Sequence, residues 1–139
     1  MGFEEHQRLY LEDDSAKGYM QLNFWRPVLP MQHPIDMQPQ LCFVEPTSVD
    51  EADVVSTTLF GQMAFGQTYL SLRENPKHTY YYYPNMTVDE VLVFKQCQFT
   101  KGQERGEMPV FHTGFSPGIN PEGAEPRCSF EYRVGLLYS

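Results

Sequence analysis

Arg127-Cys128-Ser129-Phe130-Glu131-Tyr132-Arg133-Val134 is the stretch whose reading decides the fold. A strand sends successive side chains to opposite faces. Arg127, Ser129, Glu131 and Arg133 therefore share one face, and Cys128, Phe130, Tyr132 and Val134 share the other. A polar face turned into a barrel is a row of hydrogen-bonding groups suited to an anionic small molecule. The same face turned outward is a solvated surface.

Working outward, the chain reads as many short strands. His112 lies on Val110 to Phe115, a further strand joined to the last one by the loop Ser116 to Pro126. Tyr19 to Arg26 alternates in part and is closed by Pro27. Leu41 to Val44 is a short buried strand, and Thr47 to Asp53 a turn or single helical turn before a strand at Val54 to Leu59. Gln67 to Arg73 alternates again, and Glu74-Asn75-Pro76-Lys77 reads as the turn of a hairpin with His78 to Tyr83. Thr87-Val88-Asp89-Glu90 has capping-box spacing, predicting one helical turn before the apolar strand Val91 to Phe94. Residues 3 to 13 are helix-compatible, with Gly18 as the stop. Eleven prolines and ten glycines among such elements favour an all-β sandwich or barrel over long helices.

A chain of 139 residues is read as one domain, 1–139, able to bury about 68% of its unfolded surface. Hydrophobic residues at 41% and aromatics at 14% argue for a folded protein. Ten basic against eighteen acidic residues give a net charge of -8, which disfavours nucleic acid and anionic membrane surfaces as partners. No apolar run reaches the ~20 residues that span a bilayer, and the opening residues do not resemble a signal peptide, so a cytoplasmic location is expected. Cys42, Cys97 and Cys128 are odd in number and far apart, against a disulfide scaffold or a standard zinc site.

Several residues are candidates for chemistry. His112 is either a hydrogen-bonded interior histidine or a pocket acid, base or donor. Arg127, Glu131 and Arg133 form either an ion-pair ladder or a pocket floor completed by Ser129. Two buried guanidiniums beside one carboxylate are costly unless a further anion completes them. Trp25, Tyr69, Tyr80 and Tyr82 are candidate cavity walls or plain core. Lys95 is a substrate-binding candidate, able to act as a nucleophile if burial lowers its pKa, and a solvated lysine otherwise.

Gly18-Tyr19-Met20-Gln21-Leu22-Asn23-Phe24-Trp25-Arg26-Pro27 resembles the Asn-x-Trp-Arg-Pro segment of the fungal AsaB/CmcJ-like hydroxylase/desaturase family, which includes gibberellin-desaturase-like proteins. Asn75-Pro76-Lys77-His78, Tyr81-Tyr82, Met86 to Glu90, Phe94-Lys95, His112-Thr113-Gly114-Phe115 and the Arg127-x-Ser129-x-Glu131-x-Arg133 strand follow in the family's order. The resemblance implies an iron(II)/2-oxoglutarate-type oxygenase fold, a double-stranded β-helix or jelly-roll-like barrel, here truncated at the N-terminus with a short N-terminal helix. It implies His112 as the distal metal histidine and Arg127 or Arg133 as the partner of a co-substrate carboxylate. The family's His-x-Asp motif, which supplies the first two ligands of a facial triad, is missing: His6, His33 and His78 are not followed by a carboxylate two residues on.

The expected function is accordingly a metal-independent cyclase or isomerase of secondary metabolism, such as a pericyclase, using the oxygenase pocket without metal or cofactor. His112, Arg127, Glu131 and Arg133 would act on a hydrophobic small molecule held against Trp25, Tyr69, Tyr80, Tyr82, Lys95 and Ser129. The alternatives are an Fe(II)/2-oxoglutarate-dependent hydroxylase or desaturase whose missing ligands come from elsewhere, and a non-catalytic metabolite-binding protein. An uncovered sheet edge would make the protein a homodimer.

Overall fold

The computed structural model describes residues 12–28, 40–61, 64–83, 86–104, 106–115 and 128–139. Eight strands carry the fold: β1 (Gly18–Pro27), β2 (Gln40–Val44), β3 (Val54–Gly61), β4 (Ala64–Leu72), β5 (Tyr80–Tyr82), β6 (Leu92–Thr100), β7 (His112–Phe115) and β8 (Ser129–Tyr138). Two single 3-10 turns, Pro46–Ser48 and Glu51–Asp53, lie between β2 and β3. The strands form three antiparallel sheets, ordered β6-β1-β8, β5-β2-β7 and β3-β4. This is the mainly β, jelly-roll-like architecture expected from the short strands and their Gly/Pro turns.

The first two sheets meet face to face. Trp25, Met86 and Phe94 are the buried centre, and Leu41, Phe43, Leu92 and Val110 pack around them. The Phe43 ring from β2 meets Phe94 from β6 edge-on at 4.9 Å, joining the sheets directly. Aromatic rings bury roughly 150–250 Å² each, so this contact is a large part of the apolar packing between the sheets.

β1 is the central strand of its sheet, and a bulge in the β1–β6 ladder shapes what it presents. Leu22 pairs with Lys95 but Gln21 pairs with Cys97, so Gln96 is the extra residue on β6. A bulge re-aims the side chain it inserts. Here it brings Gln96 to Asn23, whose Nδ2 donates to Gln96 Oε1 at 2.7 Å.

The far end of this sheet is stapled by Tyr138. Its ring lies over Gly18, and its hydroxyl reaches Thr100 Oγ1 at 2.9 Å and the Phe99 carbonyl at 3.2 Å. A Cβ on Gly18 would run into that ring and the Phe99 carbonyl. Gly18 is thus the first residue of β1 and makes room for a cross-strand tyrosine; it does not end a helix. The helix expected over residues 3–13 lies outside the described residues except at its last two positions, as do most of the expected Pro27–Pro39 and Ser116–Pro126 loops.

Two further expectations are corrected. β4 does not form a hairpin with the Tyr80–Tyr82 strand. It pairs with β3, and β5 pairs with β2. The backbone shows why: Arg73 N donates to Asp53 O at 2.8 Å, and Glu45 N donates to Thr79 O at 2.8 Å. The chain leaving β4 is drawn back to the start of β3 before β5 joins the end of β2. Thr87 to Glu90 is a turn and not a helical one, although its capping chemistry is half present. Glu90 Oε2 accepts from Thr87 N at 2.6 Å and Thr87 Oγ1 at 3.1 Å, while Oε1 accepts from the Tyr83 hydroxyl at 2.9 Å.

Two predictions follow from these contacts. Gly18→Ala should cost about 1–3 kcal/mol through overpacking against Tyr138, read by urea denaturation; an unchanged midpoint contradicts the staple. The Thr87 backbone N–H, followed by the Tyr83 hydroxyl, holds the Glu90 carboxyl below its ordinary value of 4.5. Its contribution to folding is therefore complete above 4.5 and is lost as the pH falls through the lower native value. An NMR titration of the Glu90 carboxyl should give a midpoint below 4.5, and one at or above it contradicts the brace.

Candidate functional site

His112 opens β7 opposite Phe43 of β2. Directly opposed residues share a face, so the imidazole stands on the side of β5-β2-β7 that packs on the first sheet. Its ring meets Phe94 at 4.7 Å and Phe43 at 6.4 Å. His112 Nδ1 lies 2.9 Å from the Val110 carbonyl oxygen. A carbonyl only accepts, so Nδ1 carries the proton and Nε2 keeps its lone pair. Fixing one ring nitrogen in this way sets the tautomer and direction of a ligating or proton-accepting imidazole.

Across the sheet interface stands the row the last strand was expected to supply. Glu131 is opposite Trp25, and Arg133 is opposite Asn23. Trp25 and Asn23 are both buried, and their β6 neighbours are Leu92 and Phe94. The polar face of β8 is therefore on the core side of its sheet, and Phe130 and Tyr132 are on the outer side, where Tyr132 stacks on Phe24 at 5.0 Å. The row is not enclosed, however. The Arg133 side chain is 51% exposed and that of Glu131 30%. The enclosed chamber expected from the sequence is not borne out here: Arg133 is half-exposed, while Trp25 and Phe94 on the facing side of the two sheets are packed in the core beside His112.

Arg133 Nε donates to Glu131 Oε1 at 3.1 Å, and Nη2 lies 3.1 Å from the same oxygen as an ion pair. A pair this exposed is worth at most about 1 kcal/mol, which leaves the guanidinium easily redirected to another anion. Its charge is also felt at Cys97 on β6: burial pushes that thiol up, and Arg133 acts against the rise. Beside it, Asn23 is fully buried at 0% exposure, and its Oδ1 has no partner among the described residues. Such an orphan acceptor costs about 1–3 kcal/mol.

The other expected site residues are scattered. Ser129 begins β8 on the Glu131 face and is exposed. Arg127 lies outside the described residues. Lys95 is corrected: it pairs with Leu22 on the outer face and binds Glu107 Oε2 at 2.6 Å, so it is a surface ion pair and not part of the core side. Tyr80 and Tyr82 are corrected too. Tyr81 is opposite Phe43, so Tyr80 and Tyr82 point to the other side of β5, where they meet His78 and Phe115. Tyr69 is exposed on the β3–β4 pair.

Two features had no place in the sequence reading. One is the Asn23–Gln96 pair, whose only sequence signal was an asparagine alternating with Trp25. The other is a cluster at the foot of β3: Asp53 Oδ2 accepts from Asn75 Nδ2 at 2.7 Å and meets the fully buried His78 at Nε2, 3.1 Å away. His78 is thereby committed to Asp53. Among the described residues no group of three His, Cys, Asp or Glu side chains could hold a metal. A facial triad is thus not assembled by the described residues.

The family profile described as "Oxidoreductase/YMDC permease-like domain" matches residues 5–137. No curated protein matches the chain. Among solved structures it is similar to the iron and alpha-ketoglutarate-dependent endoperoxidase NvfI, with 17% identity, a TM-score of 0.66 and 88% of this chain covered. A different conformation of that enzyme gives 20% identity, a TM-score of 0.69 and the same 88% coverage. The chain spans about two fifths of the length of these structures, 42% and 43%. The fold is therefore a double-stranded β-helix like that of these structures, an oxygenase-like scaffold. The expectation of a site without cofactor is corrected by this likeness: the solved structures that share the scaffold are iron- and alpha-ketoglutarate-dependent, and the cofactor-free reading is not carried further.

Proposed function

Because the chain belongs to the oxidoreductase/YMDC permease-like domain family, we propose that it serves a small-molecule tailoring oxygenase, binding Fe(II) and 2-oxoglutarate on the sheet faces that carry His112 and Arg133. The observation that carries this reading is His112, with Nδ1 tied to the Val110 carbonyl and Nε2 left as a directed lone pair. His112 supplies one metal ligand, and the two further donors come from outside the described residues. Bound iron with 2-oxoglutarate and dioxygen would supply the oxidation of an unactivated C–H bond, with 2-oxoglutarate converted to succinate and carbon dioxide.

The chain's own residues do the rest. Arg133 lies on the His112 side of its sheet and presents a two-pronged donor suited to a carboxylate. Glu131 holds the guanidinium in place until that carboxylate arrives. Arg127, two residues before Ser129, is its counterpart by resemblance.

The finer assignment, to fungal AsaB/CmcJ-like hydroxylases and desaturases, is supported by Asn23-x-Trp25-Arg26-Pro27 and His112-Thr113-Gly114-Phe115. In each, core-side residues sit inside the family's own motif. A cyclisation or isomerisation of the same class of molecule is the second reading. Its support is Arg133, a donor able to stabilise charge that develops on a carbonyl oxygen.

The test is succinate formation from 2-oxoglutarate by the purified chain with added Fe(II). The expected result is iron-dependent turnover that falls by about 100-fold or more in His112→Ala, a larger loss than outer-shell changes usually give. Arg133→Ala should raise the 2-oxoglutarate requirement and spare the maximal rate. An iron-independent reaction, or a His112→Ala protein as active as the parent, overturns the assignment.

A further inference from the structure

Asn23 is a costly residue for its position. It has 0% exposure on the central strand of its sheet, and only half of its amide is used. Nδ2 donates to Gln96 Oε1 at 2.7 Å, while Oδ1 is buried with no partner among the described residues. Leucine has the same branched skeleton and would leave no acceptor unsatisfied, a change that is close to neutral for stability. β6 even departs from regular pairing to make the arrangement, since Gln96 is the residue its bulge inserts.

The donor that can complete Oδ1 is already beside it. Arg133 is directly opposite Asn23 across the β1–β8 ladder, and opposed residues carry their Cβ atoms about 4.5–5.5 Å apart on one face. An arginine side chain is longer than that gap. Its charge also reaches across β1, because it acts on the Cys97 thiol of β6, on the other side of the central strand. Glu131 Oε1 takes the Nε–H and pairs with Nη2, and Nη1 has no partner among the described residues. What keeps Arg133 from Asn23 is water. Turning a guanidinium inward removes it from solvent, which is costly unless an anion completes it. A carboxylate supplies that anion, and the exposed Glu131 pair is weak enough to release the guanidinium.

We propose that Asn23 is the inner dock of Arg133. When a carboxylate ligand binds, the guanidinium leaves Glu131, gives one N–H to Asn23 Oδ1 and turns its two-pronged edge to the ligand. Asn23 is then a positioning residue, and Glu131 is the ligand's competitor. Gln96 sets the amide the right way round, because its Oε1 holds Nδ2 and leaves Oδ1 to Arg133. The inference rests on the assignment of 2-oxoglutarate to Arg133 made above and adds how that site is switched.

Nitrogen NMR of the full chain tests it, titrating 2-oxoglutarate in the presence of Zn(II) as a diamagnetic, redox-inert substitute for iron. In the unaltered protein the Arg133 Nε–H signal and the Asn23 side-chain amide signal should shift together, with one midpoint. Asn23→Leu should keep the urea midpoint of the parent and weaken 2-oxoglutarate about tenfold. Glu131→Gln should act in the opposite sense and tighten it severalfold. A merely structural asparagine would give neither the ligand-linked amide shift nor the opposed effects. An Arg133 signal that moves while the Asn23 amide stays still overturns the dock and leaves the oxygenase reading standing. So does an Asn23→Leu protein that binds as tightly as the parent, or a Glu131→Gln protein that binds more weakly. An Arg133 signal unmoved by 2-oxoglutarate overturns both. Should Asn23→Leu fail to fold, the amide signal of the unaltered protein decides.

Discussion

The account of this protein rests on one hydrogen bond, from His112 Nδ1 to the Val110 carbonyl at 2.9 Å. Val110 is placed to give it. Its N–H donates to the Lys95 carbonyl at 3.1 Å, and its side chain packs on the Trp25–Met86–Phe94 core. The next residue's carbonyl accepts from Val44 N at 2.9 Å. The bond that sets the imidazole tautomer is therefore anchored to both sheets. A change in how the sheets pack would move the carbonyl, and the histidine would lose its defined direction.

Polarity on the core side of β8 follows from the same packing. A sheet that buries one face usually turns its apolar residues inward, yet β8 turns Glu131 and Arg133 to the core side and leaves Phe130 and Tyr132 outside. Asn23, fully buried with an orphan Oδ1, continues this inversion into the central strand. Local rules broken together in one place are the usual mark of a functional surface, because function is what offsets the lost stability. Wetting of Arg133 keeps the inversion affordable: a half-exposed guanidinium avoids most of the desolvation that full burial would impose.

Much of this was legible in the residues. The alternation of Tyr19 to Arg26 located β1 within a residue, that of Arg127 to Val134 located the start of β8 within two, and the turn residues marked the all-β class. His112 was visible as a candidate because His112-Thr113-Gly114-Phe115 resembles a segment of the hydroxylase/desaturase family. β6 was underestimated because its bulge at Gln96 breaks the alternation that a strand reading relies on. The partner of β4 was not legible, since Asp53 and His78 decide it from 25 residues apart. Alternation told which tyrosines share a face but not which face looks inward, and so Tyr80 and Tyr82 were placed in the pocket when they lie behind it. The cofactor-free expectation rested on a missing His-x-Asp motif, and likeness of the whole fold outweighed that local absence.

The most direct measurement is nitrogen NMR of the histidine side chains, with and without a paramagnetic divalent ion such as Co(II). His112 should be the Nδ1–H tautomer, with an unprotonated Nε2, and Co(II) should broaden it while leaving His78 sharp. An Nε2–H tautomer at His112, or a spectrum in which Co(II) leaves that ring untouched, would contradict the account.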